Sequence, residues 1–384
     1  MDTTILGYYR NNGKIGIRNY VLLLPLDAVS YPVCRAVANN VAGTLAIGHP
    51  YGRMQFGADL ELHFRTLIGT GMNPNVAAVI LVGIEPVWTR KVADGIAGSG
   101  KPVACFWTDE HGDLAIIEQA SRKAVEFVRF ATSLERRKAD LKDLAFGFKC
   151  GESDTTSGLA GNPAAGVVCE RLVHMGATVM FGETPEMTGA EHLVAERFAT
   201  PELSRQFLSI FNRYIGEILS HGEDLLGSQP TQGNIAGGIT TIEEKAIGTI
   251  AKIGKATISG VLNTAEAPAK SGLHFMNTSS AAADLVTAMA AAGAVMNVFI
   301  TGRGNNLGNP ISPVVKICAN PKACRLIPEH IDVDVSGVMT REITLEQAGD
   351  RIMDCLVKTA RGRFTGSEIL RHDEFAPTRL FPQS

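Results

Sequence analysis

Residues 20–131 alternate short apolar runs with longer amphipathic ones. YVLLLPL (20–26), TLAIG (44–48), VAAVILVGI (76–84) and PVACFW (102–107) have the length and apolar continuity of strands buried on both faces. Segments 29–41, 58–70, 87–98 and 113–133 have helical length and one apolar side. Strand and helix alternating at this spacing predict a parallel sheet covered by helices on both faces. The pattern breaks at LERRKADLKD (134–143), where seven of ten residues are charged. Such a run predicts a solvated helix end or linker, and a domain boundary with it.

A second α/β unit follows. LAFGFKC (144–150), ATVMFGE (177–183), KATISGVL (255–262), VMNVFI (295–300) and VVKICA (314–319) read as strands. Segments 163–175, 189–199, 201–220 and 345–361 read as helices, and the last twenty residues as an irregular tail. Leu285 to Gly302 is uncharged for eighteen residues, the lower limit for a membrane span. Gly293 and Asn297 interrupt it, so it reads as a buried helix (Ala281–Ala292) followed by a buried strand (Val295–Ile300). The expected fold is therefore α/β, with two Rossmann-like, doubly wound domains (1–138 and 143–384) and mainly parallel sheets.

Composition narrows the function classes. The net charge of −3 offers no general attraction to nucleic acid or anionic membranes. An anionic ligand must be held by a local cluster. Seven cysteines without a CxxC pair argue against a disulfide scaffold, and the leader MDTTILGYYRNNGKIGIRN lacks the apolar core of a secretory signal. Both predict a cytoplasmic setting.

In parallel α/β sheets ligands bind beyond the carboxyl ends of the strands, so the loops after strands carry the candidate chemistry. In KCGESDTTSG (149–158), Cys150 ends a strand and Ser153, Asp154 and Ser157 precede a helix; the last three serve equally well as helix caps. GETPEMTGAEH (182–192) places Glu183, Glu186, Glu191 and His192 within ten residues, a plausible oxygen and nitrogen set for a divalent metal or simply an acidic turn. In QGNIAGGITTIEEKAIG (232–248), Lys245 lies in an apolar stretch and suits a general base, with a surface pair to Glu244 as the plainer reading. TGRGNNLGNP (301–310), followed by Lys316, is GxGxxxG and a weak nucleotide fingerprint. Its Arg303, Asn305 and Asn306 suit a carboxylate, phosphate or sulfonate. His49 and Arg53 stand after the second strand. His63, His111, His174, His221, His274 and His372 stand alone and read as structural or exposed.

Several of these blocks occur together and in order: GYYRNNGKIGIRN, CGESDTTSG, GETPEMTGAEH, GNIAGGITTIEEKAIG, TGRGNNLGNP, and GSE (366–368) with EF (374–375). Along nearly its whole length the chain resembles the altronate/galactarate dehydratase family. The resemblance implies a metal-dependent lyase that removes the C2 proton of a small anionic hydroxy acid while a group leaves C3. That group is hydroxide in the sugar-acid dehydratases and sulfite, leaving pyruvate, for a sulfonated hydroxy acid. The sugar-acid members typically hold cysteine at the positions of Arg53 and Ile84. Here only Cys150 remains, which counts against a three-cysteine iron or iron–sulfur site and sets a cation where sulfur would be. They also carry a small N-terminal domain, which by resemblance would here be a separate small (alpha) subunit in an oligomer. The implied metal is iron(II), with Glu183, Glu186, His192 and Cys150 around the metal and base positions and Lys245 as proton acceptor. Arg303, Asn305, Arg53 and Lys316, with Ser153 and Asp154, would hold the substrate. Competing expectations are a sugar-acid hydro-lyase, a nicotinamide-dependent oxidoreductase, a two-lobed solute-binding protein, and a catalytically idle paralogue.

Overall fold

In the computed structural model, which describes residues 2–225 and 227–381, the chain opens on β1 (Thr4–Tyr9), paired antiparallel with β2 (Ile15–Gly16). Then β3 (Tyr20–Pro25), β4 (Thr44–Ala46), β5 (Val76–Gly83) and β6 (Val103–Trp107) form a parallel sheet in the order β4-β3-β5-β6. Leu22, Leu24, Val79 and Leu81 pack on helices Gly57–Met72 and Pro86–Ala97, while Leu23, Ile80 and Val82 pack on Tyr31–Asn40 and Asp113–Ser133. Neighbouring residues thus bury on opposite faces, which is why these strands read as unbroken apolar runs.

The charged segment proved to be neither a helix end nor a free linker. Its residues Arg137–Asp140 form β7, antiparallel to β1. Ala139 is buried while Arg137 and Lys138, on opposite faces of the strand, stay exposed, so the charges remain in water although the backbone is paired.

The second sheet comprises β8 (Ala145–Gly151), β9 (Thr178–Phe181), β10 (Ile258–Leu262), β11 (Gly272–Met276), β12 (Met296–Thr301), β13 (Val314–Cys318) and β14 (Val333–Asp334). All are parallel, in the order β10-β11-β9-β8-β12-β13-β14. Both sheets are those of an α/β, doubly wound architecture, as the pattern predicted. β11 was not foreseen, because GLHFM is too short and mixed to stand out. The expected helix 189–199 shrinks to Glu191–Ala195, since Arg197 and Ala199 exchange backbone hydrogen bonds with Ile258 at the sheet edge. Leu285–Gly302 is a helix, Ala282–Ala291, followed by β12; among the described residues no helix is long and apolar enough to cross a membrane.

Helix Ala282–Ala291 lies between the second sheet and helix Gly57–Met72. At Gly69 the backbones approach so closely that a Cβ would overlap the Ala291 carbonyl. The Asn73 amide donates to the carbonyls of Ala290 (2.7 Å) and Ala294 (2.9 Å), and that of Asn75 to Val295 (2.9 Å) and Ile311 (2.8 Å). The C-terminal segment is irregular as expected (residues 382–384 lie outside the described residues) but it is tied down. Phe375 is buried against the first sheet's helices, and Leu380 N–H donates to Asp59.

Arg18 fastens the leader to the second unit. Its guanidinium bridges both oxygens of Glu368 at 2.8 and 2.9 Å and donates to the carbonyls of Thr359 and Arg363. Removing one partner of a buried pair leaves the other uncompensated, so Arg18→Met should lower unfolding stability by about 3–5 kcal/mol in urea titrations. An unchanged midpoint would show that water replaces the guanidinium without loss.

Candidate active site

The carboxyl ends of β8 and β9 bring the first charged groups together. β8 ends on Lys149, Cys150 and Gly151, so two successive side chains reach the sheet edge. After β9 the chain turns at Glu183, whose φ of +75° is unfavourable for a residue with a Cβ. The turn is held by Glu183 N–H donating to Thr278 Oγ1 at 3.1 Å. A short helical turn, Thr184–Met187, then presents Glu186. Helix Ile242–Ile250 starts at the Thr241 cap and supplies Lys245 and Thr249, four residues apart on one face; the next turn supplies Lys252.

These seven side chains form one buried cluster. The Glu183 carboxylate lies between the Lys149 and Lys252 ammonium groups, one on each oxygen. Glu186 Oε1 is 3.4 Å from Lys245 Nζ and 3.7 Å from Lys149 Nζ, and Oε2 accepts from Thr249 Oγ1 at 3.1 Å. Cys150 Sγ lies 3.6 Å from Lys252 Nζ, 3.7 Å from Glu183 Oε1 and 4.0 Å from Glu186 Oε2. Three ammonium groups thus face two carboxylates, an excess of one positive charge. Burial alone would raise the Glu186 pKa, but Lys149, Lys245, Lys252 and Thr249 outweigh it and hold the carboxyl down at about 2. For Cys150 burial wins, helped by Glu183, and its pKa is raised.

Beside the cluster lies a cavity of about 460 Å³, with Lys245 and Thr249 on one wall and Ser153, Asp154 and Asn162 on another. Its loops hold one another. The Asn234 amide donates to the Ser153 carbonyl at 2.8 Å, Thr155 N–H to the Gly237 carbonyl at 3.1 Å, and Arg303 to the Gly233 carbonyl at 2.8 Å. Asp154 caps the following turn through Ser157 N–H and also accepts from Asn320 at 2.8 Å.

The residues singled out in the sequence divide accordingly. Cys150, Glu183, Glu186 and Lys245 meet in the cluster, and Ser153 and Asp154 line the cavity. Lys245 pairs with Glu186 and Gln229, whereas Glu244 instead accepts from Thr240; the simple surface pair is thereby overturned. His192 is exposed and outside the cluster. Arg303 is exposed with one donor tied to Gly233, Asn305 accepts from Leu307 N–H in its own loop, and Arg53 is exposed in the first unit near Asp27. Lys316 is buried beside His372 (3.4 Å), with its pKa lowered to about 8 by burial against the pull of Asp332 and Glu374. His372, expected alone, also stacks on His330. Lys149 and Lys252 were missed. Lys149 stands next to Cys150 inside an apolar strand, and Lys252 in the apolar stretch AIGTIAKIG (246–254); those were the available signals.

Cys150, Glu183 and Glu186 each offer a ligand atom, all within 4.8 Å of one another. Thiolate and carboxylates are a metal-type donor set. Yet both Glu183 oxygens and one Glu186 oxygen already face ammonium groups, so the set does not fit a divalent ion.

Two family models match the chain: "D-galactarate dehydratase/Altronate hydrolase, second domain" over residues 7–132, and "D-galactarate/Altronate dehydratase, C-terminal" over residues 141–383. The chain is 57% identical over 380 residues to the (2R)-sulfolactate sulfo-lyase subunit beta of Chromohalobacter salexigens, covering 98% of each. It is 28% identical to the altronate dehydratase of Escherichia coli, over 96% of this chain and 76% of that one. The galactarate dehydratase (L-threo-forming) of Escherichia coli is 29% identical over 78% of this chain and 59% of its own length.

Because the folded state holds Glu186 down at about 2 against about 4.3 in an unfolded chain, the linked stability is present above pH 4.3 and lost as pH falls towards 2. Urea unfolding should therefore find Glu186→Gln less stable than the parent by about 3 kcal/mol at neutral pH, with the gap closing between pH 4 and 2. A gap independent of pH would remove Glu186 from the ion network.

Proposed function

The chain belongs to the D-galactarate/altronate dehydratase family, and from that membership we propose that it is a carbon–sulfur lyase eliminating sulfite from (2R)-3-sulfolactate to leave pyruvate. The observation that carries this reading is the excess of ammonium over carboxylate in the cluster beside the cavity. Abstraction of a proton beside a carboxylate builds further negative charge on an anion, and fixed ammonium groups in a dry site stabilise it strongly. The sulfo-lyase relative supports sulfite as the leaving group.

In the proposed reaction the Lys245 amine, at the cavity wall, accepts the C2 proton and becomes an ammonium held beside the Glu186 carboxylate. The electron pair left at C2 forms the C2–C3 double bond, and the C3–S bond breaks with its pair on sulfite. The enol then takes a proton at C3 while its C2 hydroxyl gives one up to water, and the product is the 2-keto acid. Lys149 and Lys252 hold the Glu183 carboxylate in place, and Cys150 adds a polarisable edge. Ser153 and Asp154 line the cavity that receives the acid, while Arg303, Arg53, Asn305 and Lys316 stand outside its wall. For the cofactor, the resemblance implies iron(II), which would chelate the substrate carboxylate and hydroxyl; Cys150, Glu183 and Glu186 do not fit it, and His192 is exposed. A small partner subunit is in keeping with the "subunit beta" of the relative's name. A reducing cytoplasm suits seven free thiols.

Co-expressed with its partner, the enzyme should release sulfite and pyruvate in equal amounts from (2R)-sulfolactate and no 2-keto-3-deoxy acid from altronate or galactarate. The reverse result would make it a sugar-acid dehydratase. Lys245→Met should lower kcat by at least about 100-fold, the range of general acid–base catalysis. It should unfold at a similar urea concentration, since Glu186 keeps Lys149 and Thr249. Full turnover in that variant would exclude Lys245 from proton transfer.

A further inference from the structure

The buried cluster carries a second conclusion that does not depend on which acid the enzyme takes. Cys150, Glu183 and Glu186 look from their chemistry like metal ligands. Their surroundings say otherwise. A divalent ion is held by lone pairs that point at it, and Glu183 Oε1 already accepts from Lys149 while Oε2 is in ion-pair contact with Lys252. Of the Glu186 oxygens, one is 3.4 Å from Lys245 Nζ and the other accepts from Thr249. Cys150 Sγ has Lys252 Nζ at 3.6 Å and Thr249 Oγ1 at 3.6 Å. An ion bound to these three atoms would sit among three buried cations, each repelling a dication where no water screens it.

The charge count points the same way. Lys149, Lys245 and Lys252 against Glu183 and Glu186 leave one positive charge without a buried partner. A cluster with that imbalance is completed by an anion, and a divalent cation would raise the excess to two even with Cys150 bound as thiolate. Lys149 and Lys252 are wholly buried in the cluster, and of the three lysines Lys245 is the one that faces the cavity.

We infer that the Cys150–Glu183–Glu186 cluster is an anion-stabilising, proton-transfer centre neutralised by lysine, and that any divalent ion used by the reaction takes its ligands elsewhere. Lys149 and Lys252 are on this view positioning residues, which fix the Glu183 carboxylate rather than touch the substrate.

Cobalt(II) is the probe, because a cobalt–thiolate bond produces a strong charge-transfer absorption in the near ultraviolet that oxygen and nitrogen ligands do not. The intact enzyme, with its partner subunit, is stripped with chelator, loaded with cobalt(II) and compared with Cys150→Ala. The expected result is no charge-transfer band and equal cobalt content in the two proteins by elemental analysis, whether that content is one ion or none. A band in the parent that disappears in Cys150→Ala overturns the inference, as does loss of bound cobalt in that variant. Should Cys150→Ala fail to fold, Cys150→Ser takes its place, because six other thiols are free: a parent band lost in that variant overturns the inference, and a band unchanged or absent upholds it. Failure of the sulfite assay would leave this result standing, since the spectrum involves no substrate.

Discussion

Everything at the site is registered by the Glu183 carboxylate. Taking an ion out of water costs several kcal/mol, and the cost is recovered only where partners are close and well directed. Glu183 meets that condition with an ammonium on each oxygen, one from β8 and one from the turn after helix Ile242–Ile250. Three elements distant in sequence are thus fixed relative to each other by one side chain. The same demand accounts for the strained turn. A φ of +75° at a residue with a Cβ costs about 1–3 kcal/mol, and the two ion pairs with the Thr278 hydrogen bond are the contacts that hold it.

The fold was largely legible because burial on both sheet faces leaves an unmistakable apolar run. Leu22, Leu23 and Leu24 point to alternate sides of β3, and every one of them meets a helix. What escaped were the elements whose formation depends on a distant partner. β7 looked like a linker because half its side chains face water, and only β1, about 130 residues earlier, makes it a strand. Phe198 likewise had every local reason to continue a helix until Ile258 offered it a sheet edge. Nothing local in such segments distinguishes a solvated helix from a wet strand.

The site was legible where chemistry clusters in a loop and illegible where it is assembled across the sheet. Cys150, Glu183, Glu186 and Lys245 stand in loops rich in glycine and polar residues, and their convergence follows from the rule that loops gather at the carboxyl ends of parallel strands. His192 obeyed the same local logic and failed it. Helix Glu191–Ala195 turns Val194 inward, and the imidazole two residues earlier is carried out to solvent. Lys149 and Lys252 could not be chosen from sequence for the opposite reason. A lysine in an apolar segment signals a partner, but not which carboxylate will provide it.

The first unit does more than pack against this centre. Arg65, on helix Gly57–Met72, donates to the Thr264 carbonyl at 2.9 Å, and Thr264 Oγ1 donates to the Asn277 carbonyl at 2.7 Å. The Asn277 side chain accepts from Thr184 Oγ1 at 2.9 Å, and the neighbouring Thr278 receives the Glu183 N–H. A continuous run of hydrogen bonds therefore backs the turn that aims the carboxylate, starting from a helix of the other sheet. A strained residue holds its geometry only when its surroundings over-determine it. The second sheet by itself supplies the lysines, and the contact with the first supplies the stiffness behind them.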